Sequence, residues 1–376
     1  MKGKTISLLS VCASTVLALP LNGAVDPLPE GANGIAAEYL HDSSIASDSA
    51  VIFADDFESY SSASELSTRW NGGVYHHIDL AASRSNVFAG DQSLQFRNPK
   101  TSSEVSNTVD RLVNPELDVL FLRYYQKFDV TFNATGSSHN GCSVQASYIK
   151  NGSATPGVKA DGYNKFLANC ECWRGDTSEP SPGRLNVYIY HPEQRDVWGD
   201  HFFPTGTVLP WSSVPGEFGP DFVSRPDMVP ELGRWNCYEF MVKANTPGSR
   251  DGRIACWFDG ELVADFMNLR LRDTDTLTID RFGVSSHIKS NTSNETFVYY
   301  DNVVAATTYV GPIATGNAAV FRGGRERQAR PGRSAVMFDL RGRIVAEGDR
   351  MQTNRTGVWL VSEKSGGPHV IRVINP

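Results

Sequence analysis

The chain repeats one pattern along most of its length: a short run of aromatic and β-branched residues, then a cluster of Gly, Pro, Asn or Ser. Such runs fall at 51–53, 93–96, 121–130, 143–149, 184–191, 235–243, 253–258, 276–284 and 297–306. Several of them alternate apolar and polar side chains, the mark of half-buried strands. No stretch of helical length carries a helical period with caps at its ends, so the pattern predicts an all-β protein. Turn chemistry places two hairpins. Asn245 to Gly252 joins the strands on either side of it, and Asp259-Gly260 separates Trp257-Phe258 from Glu261-Leu262-Val263 as a favoured two-residue turn. The main strand set closes at Tyr299 to Ala306 and leads out through Tyr309 to Pro312. A second set follows at 335–340, 343–346, 357–362 and 369–374.

The intervening segments differ in kind. Residues 25–50, rich in Ala, Ser, Asp and Gly without periodicity, predict a loose leader, and the Gly- and Arg-rich stretch 313–333 predicts a linker. At the start, Lys2 and Lys4 precede an apolar stretch from Ile6 to Leu21 that ends at Gly23 and Ala24, the layout of a secretory signal peptide. The stretch is too short and too interrupted to span a membrane, which takes roughly 20 apolar residues. Cys12 lies inside it behind Val11, where a lipidation signal would want a small residue. The expectation is a soluble protein, secreted or at the cell surface. Its parts are a signal peptide at 1–24, the leader, a main β domain at 51–312, the linker, and a small β domain at 334–376.

Charge sharpens the border between the two domains. The formal net charge is -7. From Phe321 onward eleven Lys or Arg face five acids, so the tail carries +6 and the remainder -13. An acidic body argues against nucleic acid as the ligand, because phosphate binding needs a basic face. After the signal, Cys142, Cys170, Cys172, Cys237 and Cys256 remain. Their odd number leaves at least one thiol free, and Cys170-Glu171-Cys172 by itself lacks the second ligand pair of a zinc site.

Three short motifs carry a resemblance. Asp55-Asp56-Phe57-Glu58 opens a strand, Ala89-Gly90-Asp91-Gln92-Ser93-Leu94 follows, and Asp301-Asn302-Val303-Val304 closes the set. Over roughly 51–312 these residues resemble the concanavalin A-like jelly-roll β-sandwiches of polysaccharide lyases, of the family-14 alginate lyase and glucuronan-lyase type. The resemblance implies a structural calcium held by Glu58, by the neighbourhood of Ala89 and Gln92 through backbone carbonyls, and by Asp301. It implies no organic cofactor. The tail, with Phe338 to Arg343, Gly357 to Val361 and Val370 to Val373, resembles the small β-sandwich domains that act as secretion or sorting signals, with a plain Ig-like module as the alternative.

A lyase acting on a uronic acid removes the proton beside a carboxylate. It needs a group to neutralise that carboxylate, a base, and an acid for the leaving oxygen. Period two places Arg184, Asn186, Tyr188 and Tyr190 on one face of a strand, with Leu185, Val187 and Ile189 on the core face. Tyr190 or His139 is then the expected base and Tyr188 or Tyr190 the acid, while Arg184 with Gln145 holds the carboxylate. Lys165 is a further candidate for base or neutraliser. Asn140, Asn186 and His191 are expected to contact substrate, His201 to rim the groove, and Trp198 or Trp211 to stack on a sugar ring. His76-His77 point to opposite faces of a strand and cannot readily share a metal, and His287 lacks a catalytic-triad context. The chain has no E-x-D-x-E run, phosphate loop, H-E-x-x-H or nucleophile elbow. The leading expectation is an exported lyase on an acidic polysaccharide. A non-catalytic glycan-binding protein of the same fold comes second and a glycoside hydrolase third.

Overall fold

A computed structural model describes residues 27–136, 138–147, 156–209, 212–213, 218–291 and 293–315, and four strands between 335 and 374. The signal peptide, Trp211 and the segment 316–334 lie outside the described residues. The chain divides into two compact units, 1–321 and 322–376.

The first unit is built from two antiparallel sheets. One has eight strands, in the order Glu261–Leu269, Gly252–Phe258, Asn236–Lys243, Val119–Phe128, Thr296–Ala306, Ser93–Asn98 and Ile78–Ala81, with Val51–Asp55 also pairing to Thr296–Ala306. The other has nine, in the order Ser212–Ser213, Thr207–Leu209, Asp200–Phe202, Arg184–Tyr190, Phe166–Trp173, Ser138–Ala146, Ile279–Ile288, Val105–Leu117 and Gly73–Tyr75. Alternation decides which side chains fill the space between them. Leu122, Tyr124, Phe240, Tyr238 and Tyr300 from the first sheet join Val144, Ala168, Val187, Ile189, Phe282 and Val284 from the second in one core. Tyr124 stacks on Tyr238 with ring centroids 5.4 Å apart. Trp70 is buried against Phe53 and Phe57, and its indole N–H donates to Asp55 Oδ2 at 2.8 Å. Burying each such large side chain is worth about 1.5–3 kcal/mol. The protein is therefore a β-sandwich, as the alternation predicts. The Asp259-Gly260 hairpin also forms: both residues have positive φ, 50° and 85°, and Phe258 pairs with Glu261.

Residues 27–50 depart from the expected loose leader. They form three short 3-10 turns, and Ala36 and Ile45 pack against Val304, Ala306 and Val310 on the outer face of the eight-stranded sheet. Gly31 N–H donates to Gly260 O, Trp257 Nε1 donates to Pro29 O, and Asp42 pairs with the fully buried Arg123. All five cysteines named above are free thiols in the interior.

The second unit contains a four-stranded antiparallel sheet in the order Ile344–Gly348, Ala335–Phe338, Trp359–Glu363, Val370–Ile374.

Candidate functional site

The outer face of the nine-stranded sheet gathers the polar side chains that alternation keeps out of the core. On Arg184–Tyr190 the core takes Leu185, Val187 and Ile189, which leaves Asn186, Tyr188 and Tyr190 on the opposite face. The same parity turns Asn169 and Glu171 on the next strand to this outer side, then His139, Gly141, Ser143 and Gln145, then Arg281, Gly283, Ser285 and His287. Gly141, Ser143, Gly283 and Ser285 are neighbours in register, so small residues floor the middle of this face. A Cβ on Gly141 would lie 2.0 Å from the carbonyl oxygen of Cys170, so the floor leaves no space even for alanine. Gly141→Ala is expected to cost about 1–3 kcal/mol through overpacking, read as a lower denaturation midpoint. An unchanged midpoint would show that the strands do not approach so closely.

A histidine–carboxylate pair forms the centre. His139 Nδ1 lies 2.8 Å from Glu171 Oε2, and Glu171 is wholly buried beneath it. The His139 ring contacts Tyr188 at 4.6 Å and His287 at 5.5 Å, and Tyr188 contacts His201 at 4.9 Å. Burial pulls the His139 imidazole down, but the Glu171 carboxylate more than offsets this and leaves it above its ordinary value. Burial together with the charge on His139 lowers His201 to about 3 and His287 to about 4. Of the three imidazoles, His139 thus takes a proton most readily, while its two neighbours stay neutral. His201 Nδ1 lies 2.9 Å from Asn186 Oδ1, which leaves the other ring nitrogen as the acceptor.

Tyr188 and Tyr190 sit beside this pair. They belong to a small cluster with Ala160 and Leu167, separate from the core between the layers. Both rings are nevertheless covered, Tyr188 being 7% and Tyr190 1% exposed. Gly199 N–H donates to the Tyr188 hydroxyl at 3.0 Å, and that hydroxyl lies 3.4 Å from the Tyr190 hydroxyl. Burial, with Tyr190 alongside, raises the Tyr188 phenol well above its usual range, so it keeps its proton. Lys165 Nζ lies 4.6 Å from the Tyr190 ring centroid, and burial lowers its amine to about 8. Three acceptor oxygens on this face, Gln145 Oε1, Asn169 Oδ1 and Glu171 Oε1, are buried without a hydrogen-bond partner.

Other expected site residues lie elsewhere. Arg184 is engaged with Asp227 at 3.1 Å and Glu179 at 3.4 Å, its guanidinium over the Phe203 ring. Asn140 shares the parity of Cys142 and faces inward, its carboxamide donating to Cys172 O and accepting from Cys172 N–H. His191 lies against Phe202 with Nε2 3.2 Å from Asp200 Oδ2, so it is structural. Trp198 stands at the rim, 52% exposed and packed beside Gly157. Asn169 and Arg281 were not singled out from the sequence, Glu171 was met there only between two cysteines, and His287 was set aside for want of a catalytic-triad context. Arg281, next to Gln145 in register, donates to Gly72 O and lies 3.5 Å from Asp110. The available signal was Glu171 itself, an acid flanked by two cysteines and so forced by alternation out of an apolar strand.

The calcium set converges in space, but its chemistry is that of hydrogen bonding. Glu58 Oε1 accepts from the N–H groups of Asp91 and Gln92, and Asp301 Oδ2 accepts from those of Phe88 and Ala89. Gln92 turns its amide nitrogen to Phe57 O and Tyr60 O. Calcium takes six to eight oxygens, and these residues direct N–H groups at the carboxylates where carbonyls would be needed. They do not fit that ion, and no group of three or more His, Cys, Asp or Glu among the described residues is placed to hold a metal. A chelator is expected to leave the thermal midpoint unchanged; a fall of several degrees, reversed by calcium, would reinstate the metal.

No known family matches the sequence, and no curated protein does. Among solved structures, the alginate lyase Aly36B superposes with a TM-score of 0.48 at 17% identity, over 69% of this chain and 98% of that one. An endo-β-1,4-glucuronan lyase from the fungus Trichoderma reesei gives 0.44 at 16%, over 69% and 96%. The marine PL-14 alginate lyase from Aplysia kurodai gives 0.44 at 14%, over 68% and 99%.

Proposed function

We propose that the chain is a polysaccharide lyase that cleaves a uronic-acid-containing glycan by β-elimination on the outer face of the nine-stranded sheet. The observation that carries this reading is the conjunction of the Glu171-held His139 with the proton-bearing Tyr188 and three unpartnered acceptor oxygens. Buried acceptors without donors are costly, and a polyhydroxyl ligand supplies the missing O–H groups. In the proposed reaction His139, in its neutral form, takes the proton beside the carboxylate. The electrons of that C–H bond form the new C=C bond, the glycosidic C–O bond breaks, and Tyr188 protonates the leaving oxygen. Lys165 and Arg281 are the cations at hand to offset the uronate carboxylate, in place of Arg184. Gln145 and Asn169 accept hydrogen bonds from sugar hydroxyls, and Trp198 offers an exposed aromatic rim. The jelly-roll likeness of the short motifs points the same way. The signal-like start and the basic tail extend the reading to export, with the second unit as a secretion or sorting module.

The test is incubation with alginate and glucuronan, followed by the ultraviolet absorbance of the unsaturated product. His139→Ala and Tyr188→Phe are each expected to lower the rate at least ~10²-fold, the usual scale of acid–base catalysis. Full activity in both would remove these residues from the reaction. The cover over Tyr188 and Tyr190 favours a second reading, a glycan-binding protein without catalysis. Polymer retention with no absorbance rise from the unaltered chain would select it.

A further inference from the structure

A polar hollow lies on the opposite layer, on the outer face of the eight-stranded sheet. Its volume is about 400 Å³, within the size range of small-molecule sites. Its lining mixes Ile45, Ala46, Ala54 and Val304 with Asp42, Arg69 and Asn302. Two of its lining residues, Asp42 and Asn302, each carry a side-chain oxygen (Oδ1) that is buried without a partner. Asn302 is 6% exposed, and the Asp42 side chain 7%. Asp42 already holds Arg123 through its other oxygen, so its charge is balanced and its free lone pairs call for a neutral donor rather than a metal ion. Arg69, 39% exposed at its side chain, adds donors at the mouth. Both orphan acceptors are held by backbone in the left-handed region: φ is 57° at Asp42 and 44° at Asn302, the latter in a break of register within its strand.

We infer that this hollow binds a single pyranose unit of the polysaccharide, remote from the His139 face. Hydroxyl groups satisfy Asp42 Oδ1 and Asn302 Oδ1 and accept from Arg69, while the C–H face of the ring lies on Ile45 and Ala46. The choice of a sugar as ligand rests on the polysaccharide reading above, whereas the hollow and its orphan oxygens do not. Occupied, the site holds the enzyme on its polymer without touching the chemistry.

The test is a titration of isotopically labelled full chain with a short glucuronic acid oligosaccharide, followed by NMR. Saturable shifts of the Asn302 carboxamide and the Ser44 and Ala46 amides are expected, separate from those around His139. Asn302→Gly, which keeps the positive φ, and Ala46→Trp, which fills the hollow from an exposed position, should each weaken this binding about tenfold. Neither should alter the initial rate on short oligosaccharides. Silence at Asn302 and Ala46 while His139 responds would overturn the inference and leave the lyase reading in place. Shifts at the hollow with none at His139, and no product, would do the reverse.

Discussion

Replacing Glu171 by glutamine is expected to slow elimination roughly 10²-fold and to move the rising limb of the pH–rate profile to lower pH. Glu171 is buried beneath His139 with Oε2 2.8 Å from Nδ1, and its charge holds the imidazole above its ordinary value of 6.5. A base works in its deprotonated form, so the rate rises as pH passes the folded value of His139. Without the carboxylate, burial and the neighbouring rings act alone and His139 titrates lower. A merely structural Glu171 would reduce the rate without displacing the limb, so a profile that falls in height but keeps its position would contradict the role. Stability follows the opposite course in pH. A histidine whose folded value is raised stabilises the fold fully below the unfolded value, about 6.5, and that contribution is lost as pH rises through the folded value. Glu171→Gln should flatten this dependence in urea unfolding from about pH 6.5 upward.

The second large effect concerns the segment that precedes the sandwich. Asp42→Ala should destabilise the protein by about 3–5 kcal/mol, the usual result of stranding one partner of a buried ion pair. Arg123 is wholly buried, its Nε and Nη1 have no partner, and Asp42 accepts from Nη2. Its guanidinium also lies over the Tyr125 ring at 5.5 Å, which cannot replace a carboxylate. The joint change of Asp42→Leu and Arg123→Met removes both charges together and should cost far less, because neither is left uncompensated. Denaturant midpoints of the three variants decide the matter. A loss below about 1 kcal/mol for Asp42→Ala would be the value of a solvated surface pair and would contradict the burial of Arg123.

The fold was legible because a strand's inside and outside differ at every second residue. The parity of Leu185, Val187 and Ile189 against Asn186, Tyr188 and Tyr190 held throughout that strand. It also explains the misplacements. Asn140 was grouped with His139 by proximity in sequence, yet adjacent strand residues face opposite ways, and the carboxamide turned inward to Cys172. His191 lies just past its strand, where alternation no longer applies, and found Asp200 nine residues on. The leader escaped notice because 3-10 turns of three or four residues leave no periodicity, and the ion pair that fixes them joins residues 81 apart. Glu171 was visible but was weighed only within Cys170-Glu171-Cys172 as a metal motif, and alternation gives its face while only the register of the strands brings it to His139. Arg184 satisfied the alternation, and only the fold could bring Asp227 and Glu179 to its guanidinium.

In the proposed reaction this face of the sheet breaks a glycosidic bond by taking a proton from carbon. Mass spectrometry of oligosaccharides released from glucuronan or alginate tests it directly. Elimination leaves each new non-reducing end one water lighter than hydrolysis would, and the lighter series is expected, lost when His139 is replaced by alanine. Release of the heavier, fully hydrated series, or the lighter series undiminished in that variant, would contradict it.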